Sequence, residues 1–85
     1  MKFSVIIPVY NRPEELKELL LSLAKQSLTA FEVVVIEDGS SMDSSEIVNE
    51  FSSQLEIQYL VQANTGQGFA RNNGMKIAKG DYFVI

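Results

Sequence analysis

The 85-residue chain contains no cysteine and no histidine. Their absence removes a His/Cys zinc site, a cysteine nucleophile and a Ser-His-Asp triad from the chemistry open to it. It also leaves a short chain without a disulfide, although zero cysteine settles nothing firm about compartment. Cations are few and unclustered: 7 Lys and Arg stand against 11 Asp and Glu, a formal net charge of −4. Binding a nucleic-acid backbone takes a basic patch, so no nucleic-acid partner is expected. Long apolar runs are missing as well. Runs such as Val5-Ile6-Ile7 and Val33-Val34-Val35-Ile36 fall far short of the roughly 20 residues that span a bilayer. The start lacks a signal-peptide layout, because Pro8, Asn11 and Arg12 interrupt the apolar stretch early. A cytoplasmic location is the default, with peripheral membrane association left open for a full-length protein. What remains is 46% hydrophobic and 21% charged, ordinary for one small globular core and too apolar for disorder.

The apolar segments alternate between two periodicities. Residues 3–9 form a nearly continuous β-rich run, which suits a strand buried on both faces of a parallel sheet. Asn11-Arg12-Pro13-Glu14-Glu15 reads as a helix start, with Pro at the first helical position and two Glu complementing the dipole. Leu16, Leu19, Leu20 and Leu23 follow as a core-facing stripe. A second strand over 31–37 leads to the turn Asp38-Gly39-Ser40-Ser41, and a Ser or Asp within 41–45 can cap a second helix carrying Ile47, Val48 and Phe51 inward. A third strand over 57–61, a glycine-bearing loop over 64–68 and a third helix over 69–79 come next, with Gly80 expected as a left-handed cap. Residues 82–85 read as a fourth strand. The order β-α-β-α-β-α-β, with right-handed crossovers, predicts a three-layer α/β/α architecture around a mostly parallel sheet. A strand finishing at the last residue predicts a natural domain that continues, and a bare apolar fourth strand predicts self-association through its edge.

In open α/β sheets, ligands bind beyond the carboxyl ends of the strands. Polar and glycine residues crowd three such places: Pro8-Val9-Tyr10-Asn11-Arg12, Glu37-Asp38-Gly39-Ser40, and Asn64 through Arg71. The carboxylate of Asp38 could accept hydrogen bonds from a base or ribose or approach a metal, and it could equally serve a turn or cap the next helix. Glu37 is the weaker candidate for direct contact. Asn64-Thr65-Gly66-Gln67-Gly68-Phe69-Ala70-Arg71 fails the dinucleotide fingerprint, since Arg71 stands where the third Gly belongs, and no Gly-Lys-Ser/Thr loop occurs. Arg71 in the first turns of a helix is mildly unfavourable to the dipole, which points to an anionic partner or to a solvated face. Tyr10 suits stacking on a planar base or closing a core. Ser40, Ser41, Ser44 and Ser45 read as turn and capping residues, because no His or nearby Lys would activate a hydroxyl.

Four blocks in order carry a resemblance: Ser4-Val5-Ile6-Ile7-Pro8-Val9-Tyr10-Asn11; Glu32-Val33-Val34-Val35-Ile36-Glu37-Asp38-Gly39-Ser40; Asn64-Thr65-Gly66 with Ala70-Arg71-Asn72-Asn73-Gly74; and Ala78-Lys79-Gly80-Asp81-Tyr82. Together they resemble the N-terminal half of a family 2 glycosyltransferase. The resemblance covers almost the whole chain. It implies the Rossmann-like GT-A fold, residues 1–85 as the N-terminal nucleotide-sugar-binding part of one domain, and inverting transfer of a sugar from a nucleoside-diphosphate donor, commonly UDP-linked, to a saccharide, lipid-linked or protein acceptor. It further implies a place in polysaccharide biosynthesis. Pro8, Tyr10 and Asn11 would belong to the nucleotide pocket, Pro8 largely through its backbone. Asp38 would accept from the base, the backbone from Gly66 to Gly68 would come near the donor, and Arg71 would approach the diphosphate. Glu37 departs conservatively from the Asp of many relatives. The family's Asp-x-Asp motif for Mn2+ or Mg2+ is expected just beyond Ile85, and its catalytic base further on. The chain therefore holds no catalytic residue by this resemblance, and on its own it is expected to be inactive. The competing reading is a non-catalytic α/β nucleotide-binding or receiver-like module. A receiver wants an acidic pair after the first strand, where this chain has Tyr10-Asn11.

Overall fold

The computed structural model describes residues 3–26, 31–63, 66–80 and 82–84. Seven elements follow in chain order: β1 (Phe3–Val9), α1 (Pro13–Ala24), β2 (Phe31–Asp38), α2 (Ser45–Phe51), β3 (Ile57–Gln62), α3 (Gln67–Ile77) and β4 (Tyr82–Val84). The strands form one sheet in the order β3-β2-β1-β4, and every pairing is parallel. Its topology follows from handedness. The steps β1→β2→β3 run one way across the sheet, so right-handed crossovers put α1 and α2 on the same face. The step β3→β4 runs back past β2 and β1, which sends α3 to the opposite face.

Two apolar clusters reflect this division. One gathers Val9, Leu16, Leu20, Val33, Val35, Val48 and Phe51 between the sheet and α1/α2; the other gathers Ile6, Val34, Ile36 and Ala70 under α3. Every residue from Glu32 to Asp38 is buried, as the unbroken apolar run of a strand covered on both faces demands. The apposition of α3 to the sheet depends on Gly74. A Cβ there would lie 2.7 Å from Ile6 Cγ2 and 3.2 Å from Ile36 Cδ1, so only glycine lets the helix sit so close.

Three sequence expectations need correction. Leu19 is not part of the buried stripe: it is 41% exposed while Leu16 and Leu20 are buried, because α1 turns only one narrow face to the sheet. The glycine loop is shorter than expected, since α3 already begins at Gln67 and Gly68 lies inside its first turn. The third helix ends at Ile77 rather than 79, and Gly80 is not a left-handed cap. Ala78 is extended instead. Side chains from the sheet replace the glycine cap. Gln58 Nε2 donates to the Ile77 carbonyl at 2.9 Å, and the buried Glu32 carboxylate accepts from the backbone N–H groups of Lys79 and Gly80, the latter at 3.1 Å. Ser4 Oγ completes the cluster by donating to Glu32 at 2.7 Å and accepting from Gly80 N at 2.9 Å. Ser44 occupies the N-cap of α2 without a capping bond from its hydroxyl, and it is Asp43 Oδ1 that accepts from the first-turn Ser45 N–H at 3.2 Å, within the 41–45 segment expected to cap. Ile85 and the loop residues Asn64 and Thr65 lie outside the described residues.

Candidate functional site

The carboxyl ends of β1, β2 and β3 share one end of the parallel sheet, and the β1 and β2 tips are laced together by side chains. Val9 pairs with Glu37, so Tyr10 and Asp38 follow at neighbouring positions of adjacent strands. Asn11 then adopts a left-handed backbone with φ 51°, a conformation that Asn tolerates because its short side chain can bond locally. Its backbone N–H donates to Ser40 Oγ at 2.8 Å, and its Oδ1 accepts from Ser41 N at 2.8 Å, Ser41 Oγ at 3.2 Å and Met42 N at 3.1 Å. The turn after β1 is thereby tied to the turn after β2, and Tyr10, 46% exposed, immediately precedes that junction.

Side-chain alternation splits the two acidic residues of β2 between opposite faces of the sheet. Val33 and Val35 face α1 and α2, and Glu37 follows them; Val34 and Ile36 face α3, and Asp38 follows those. Glu37 is 1% exposed. It accepts from Ser40 Oγ, from Ser44 N at 2.8 Å and from Tyr59 OH at 3.0 Å. A buried carboxylate so surrounded by donors has a supporting part in the loop network rather than a ligand-binding one. Burial and the Glu37 carboxylate together push the Tyr59 phenol up to about 12. Nearby on the surface, the hydroxyl and backbone N–H of Ser45 hold the Asp43 carboxyl below the usual range.

Asp38 is 3% exposed and works on the other face. Its Oδ2 accepts from Gly66 N at 2.9 Å, and its Oδ1 accepts from Gln62 Nε2 at 3.0 Å. It therefore anchors the start of α3 rather than capping α2. Gly66 itself has φ 100°, which a side chain would strain. Gln62 in turn accepts from Asn73 Nδ2 at 2.6 Å.

Arg71 lies on α3, part-exposed, and no hydrogen bond or ion pair satisfies it among the described residues. Ala70 and Gly74 face the sheet, and Asn73 reaches sideways to β3. At about 100° per residue, Arg71 falls on the opposite flank of the helix, towards β1 and β4. That flank matters because the sheet order 3-2-1-4 reverses between β1 and β4, where doubly wound sheets open a ligand crevice.

Two other candidates stand apart. Gly68 presents open space where a Cβ would be, so nothing in the fold itself demands glycine there. Pro8 borders a cavity of about 230 Å3 with Ile7, Val9, Arg12, Glu15, Leu16 and Leu19, on the α1 side and away from Asp38 and Arg71. Arg12, as expected, is a surface residue, paired with Glu15 at 3.0 Å. Among the described residues no three acidic side chains converge as metal ligands, so these residues do not fit a bound metal by themselves. Nor, among them, is any helix long and apolar enough to cross a membrane.

Sequence reasoning missed Gln62, Asn73, Tyr59 and the Glu32 cluster. The one available signal was polar residues within otherwise apolar strands: Glu32 opens a buried strand, and Gln58 and Gln62 punctuate β3.

Parallel strand tips gathered at one end of an α/β sheet, with Asp38 among them and Arg71 on the helix that covers Asp38's face, define an open doubly wound arrangement, and comparison with known proteins names its family. The sequence profile described as glycosyl transferase family 2 matches residues 4–85, and the chain belongs to that family. It is 40% identical over 85 residues to YibD of Escherichia coli K12, described as an uncharacterized glycosyltransferase, covering 99% of this chain and 25% of that protein. Crystal structures of residues 1–349 of Staphylococcus aureus TarS superpose with a TM-score of 0.91 for the UDP complex and 0.88 for the UDP-GlcNAc complex, at 41% and 42% identity. They cover 98% of this chain and about a quarter of theirs, 26% and 25%. TarS is named a poly(ribitol-phosphate) beta-N-acetylglucosaminyltransferase. A mannosyltransferase from Pyrobaculum calidifontis, in complex with GDP-Man and Mn2+, shares the fold at a TM-score of 0.80 and 22% identity, over 96% of this chain and 26% of its own. The chain thus spans a quarter or less of the length of the curated relatives compared here.

Proposed function

We propose that residues 1–85 form the N-terminal nucleotide-sugar-binding part of one GT-A domain. The protein it belongs to transfers a sugar from a UDP-linked donor to an acceptor with inversion. The observation that carries the reading is Asp38: an acceptor carboxylate at a strand tip, beside a half-exposed Tyr10 and on the sheet face covered by the helix that bears the unpaired Arg71. In this reading Asp38 accepts from the base imide, a strong charge-assisted bond. Tyr10 closes over the base, Asn11 holds the loop that presents it, and Pro8 contributes backbone. The backbone from Gly66 to Gly68 comes near the donor at the start of α3, with Gly66 N–H itself held by Asp38, and Arg71 offsets the diphosphate charge.

The acceptor is a saccharide, a lipid-linked carrier or a protein, and the naming of TarS favours polysaccharide assembly. A divalent cation, Mn2+ or Mg2+, would neutralise charge developing on the departing diphosphate, and no ligand for it is assigned to the described residues. For that reason the isolated chain is proposed to bind the donor without turning it over. The short edge strand β4 is proposed to support self-association, checked by light scattering against protein concentration. Calorimetric titration of UDP into the wild-type chain and Asp38→Ala tests the central reading. Measurable binding that falls tenfold or more in the variant is the expected result. Equal affinity in both, or none in the wild type, overturns it.

A further inference from the structure

The two edges of the sheet differ. β4 offers three residues, whereas β3 offers six, Ile57-Gln58-Tyr59-Leu60-Val61-Gln62, and no strand lies beyond it among the described residues. The register with β2 fixes which backbone groups of β3 point outward. Val33 is level with Ile57 and donates from its N–H to the Glu56 carbonyl at 2.8 Å. A strand in a parallel ladder turns alternate residues to its neighbour, so Glu56, Gln58 and Leu60 bond towards β2. Ile57, Tyr59 and Val61 then aim their N–H and C=O groups away from the sheet. Nothing in the strand guards these groups. It has no charge, proline or glycine, and its pairing with β2 runs without a bulge. The two most exposed large apolar side chains among the described residues border this same edge. Val61, 61% exposed, shares the α1/α2 face with Tyr59. Phe69, 66% exposed, lies one turn along α3 from Asn73, the residue that reaches Gln62 on β3.

We propose that the outer edge of β3 is a self-association surface that pairs antiparallel with β3 of a second copy about a two-fold axis at Tyr59. Three outward residues spaced evenly about Tyr59 are their own complement under such an axis. Tyr59 faces Tyr59 of the copy and Ile57 faces Val61, which satisfies all the outward N–H and C=O groups of both strands. Exposed Val61 thereby gains an apolar cross-strand partner. Charge suits the same register, because Glu56 falls opposite Gln62 rather than opposite its own copy. The helical layer also admits a copy. Glu50 of α2 points to α1, 3.9 Å from Lys17 Nζ, and Glu46 lies one turn away on that side. The opposite flank, over β3, carries the small uncharged Asn49 and Ser52. Strand pairing alone makes a small contact, and stable interfaces bury about 1,200–2,000 Å2. The α2 flank and Phe69 of each copy enlarge it. This surface goes beyond the nucleotide reading and does not rest on it.

The absence of cysteine makes the register directly readable. Ile57→Cys/Val61→Cys sets each thiol opposite one of the copy, at the Cα spacing of about 5.5 Å that suits a disulfide. Mild oxidation should convert most of that double variant to a crosslinked dimer on non-reducing electrophoresis. Either single variant should remain uncrosslinked, since its two thiols lie four residues out of register. Sedimentation velocity over a concentration series reads the association itself. Wild type is expected to pass from monomer to dimer, and Val61→Lys to raise the dissociation constant at least tenfold. Val61→Pro removes one outward N–H and leaves the β2 ladder intact, so it is expected to act likewise, with far-UV circular dichroism checking each fold. Several results overturn the proposal: a wild type that stays monomeric, a double variant that does not crosslink, or single variants that crosslink as readily. A dimer that both Val61 variants leave intact also overturns it and assigns association to another surface such as β4. Should Val61→Pro not fold, Val61→Lys and the crosslinking pattern decide the question.

Discussion

The carboxylate of Glu37 accepts a 3.0 Å hydrogen bond from the phenol of Tyr59 beneath the turn that carries the candidate site. The bond joins the central strand β2 to the edge strand β3, and it places a group that titrates at high pH in contact with a buried negative charge. Ionising Tyr59 would set two negative charges side by side and remove a donor from Glu37.

Stability should therefore depend on pH at the alkaline end. The Tyr59 phenol is raised from 10.0 to about 12, so the folded state binds that proton more tightly than the unfolded chain. Its contribution is fully present below about pH 10 and is lost as pH rises towards 12. Urea midpoints measured from pH 8 to 12 should be flat and then fall. Tyr59→Phe should lower the plateau and flatten the decline; an identical decline in the variant would assign it to other groups.

Removing the acceptor should cost more than removing the donor. Glu37→Ala removes the acceptor of Tyr59 OH and Ser40 Oγ and leaves Ser44 N only its longer 3.4 Å bond to Tyr59, and unfolding free energy should drop by about 3 kcal/mol, the scale of a lost buried charge-assisted network. The amide signals of Asn11 and residues 40–44 should shift with it, because the β1 turn is tied to Glu37 through Ser40.

Gly74→Ala tests helix–sheet contact against helix propensity. Alanine gains about 1 kcal/mol of propensity in a helix interior. The new Cβ would sit 2.7 Å from Ile6 Cγ2, however, and overpacking of this kind costs about 1–3 kcal/mol. Net destabilisation in chemical denaturation is expected. Gly68→Ala meets nothing within 4 Å and should stabilise the free chain by several tenths of a kcal/mol or more.

Ser44→Ala should be nearly neutral although Ser44 occupies an N-cap. Its hydroxyl is fully buried and lacks a hydrogen-bond partner among the described residues, and the site's polar duties are met by other groups. Its backbone N–H goes to Glu37, while Asp43 Oδ1 accepts from Ser45 N at 3.2 Å. A loss above about 1 kcal/mol, the usual value of an N-cap, would show that the hydroxyl does bond.

The strands and helices were legible because their signals are local. Valine and isoleucine runs, Pro13 at a helix start and leucines at helical spacing state the order β-α-β-α-β-α-β without reference to anything distant. That Tyr10, Asn11 and Asp38 lie at one end of the sheet was legible for a related reason: parallel strands put their carboxyl ends on one side, so polar residues after apolar runs must gather there. Expectations failed where a long-range partner overruled local preference. Gly80 looked like a helix cap, but Glu32, Ser4 and Gln58 take up the helix end from across the sheet. Leu19 fits the stripe, yet α1 meets only its flank.

What the residues decided unaided is the alternation of elements, the buried character of β2 and the end of the sheet where polar groups collect. Which face each acidic side chain takes, and which partner it finds, came from assembly. Adjacent residues Glu37 and Asp38 look equivalent in one dimension, but the pleat aims them at opposite layers. One is enclosed by Tyr59 and Ser44, the other by Gln62 and Gly66. Hydrogen bonds require approach to about 3 Å, and only the packed sheet brings residues so distant in sequence that close.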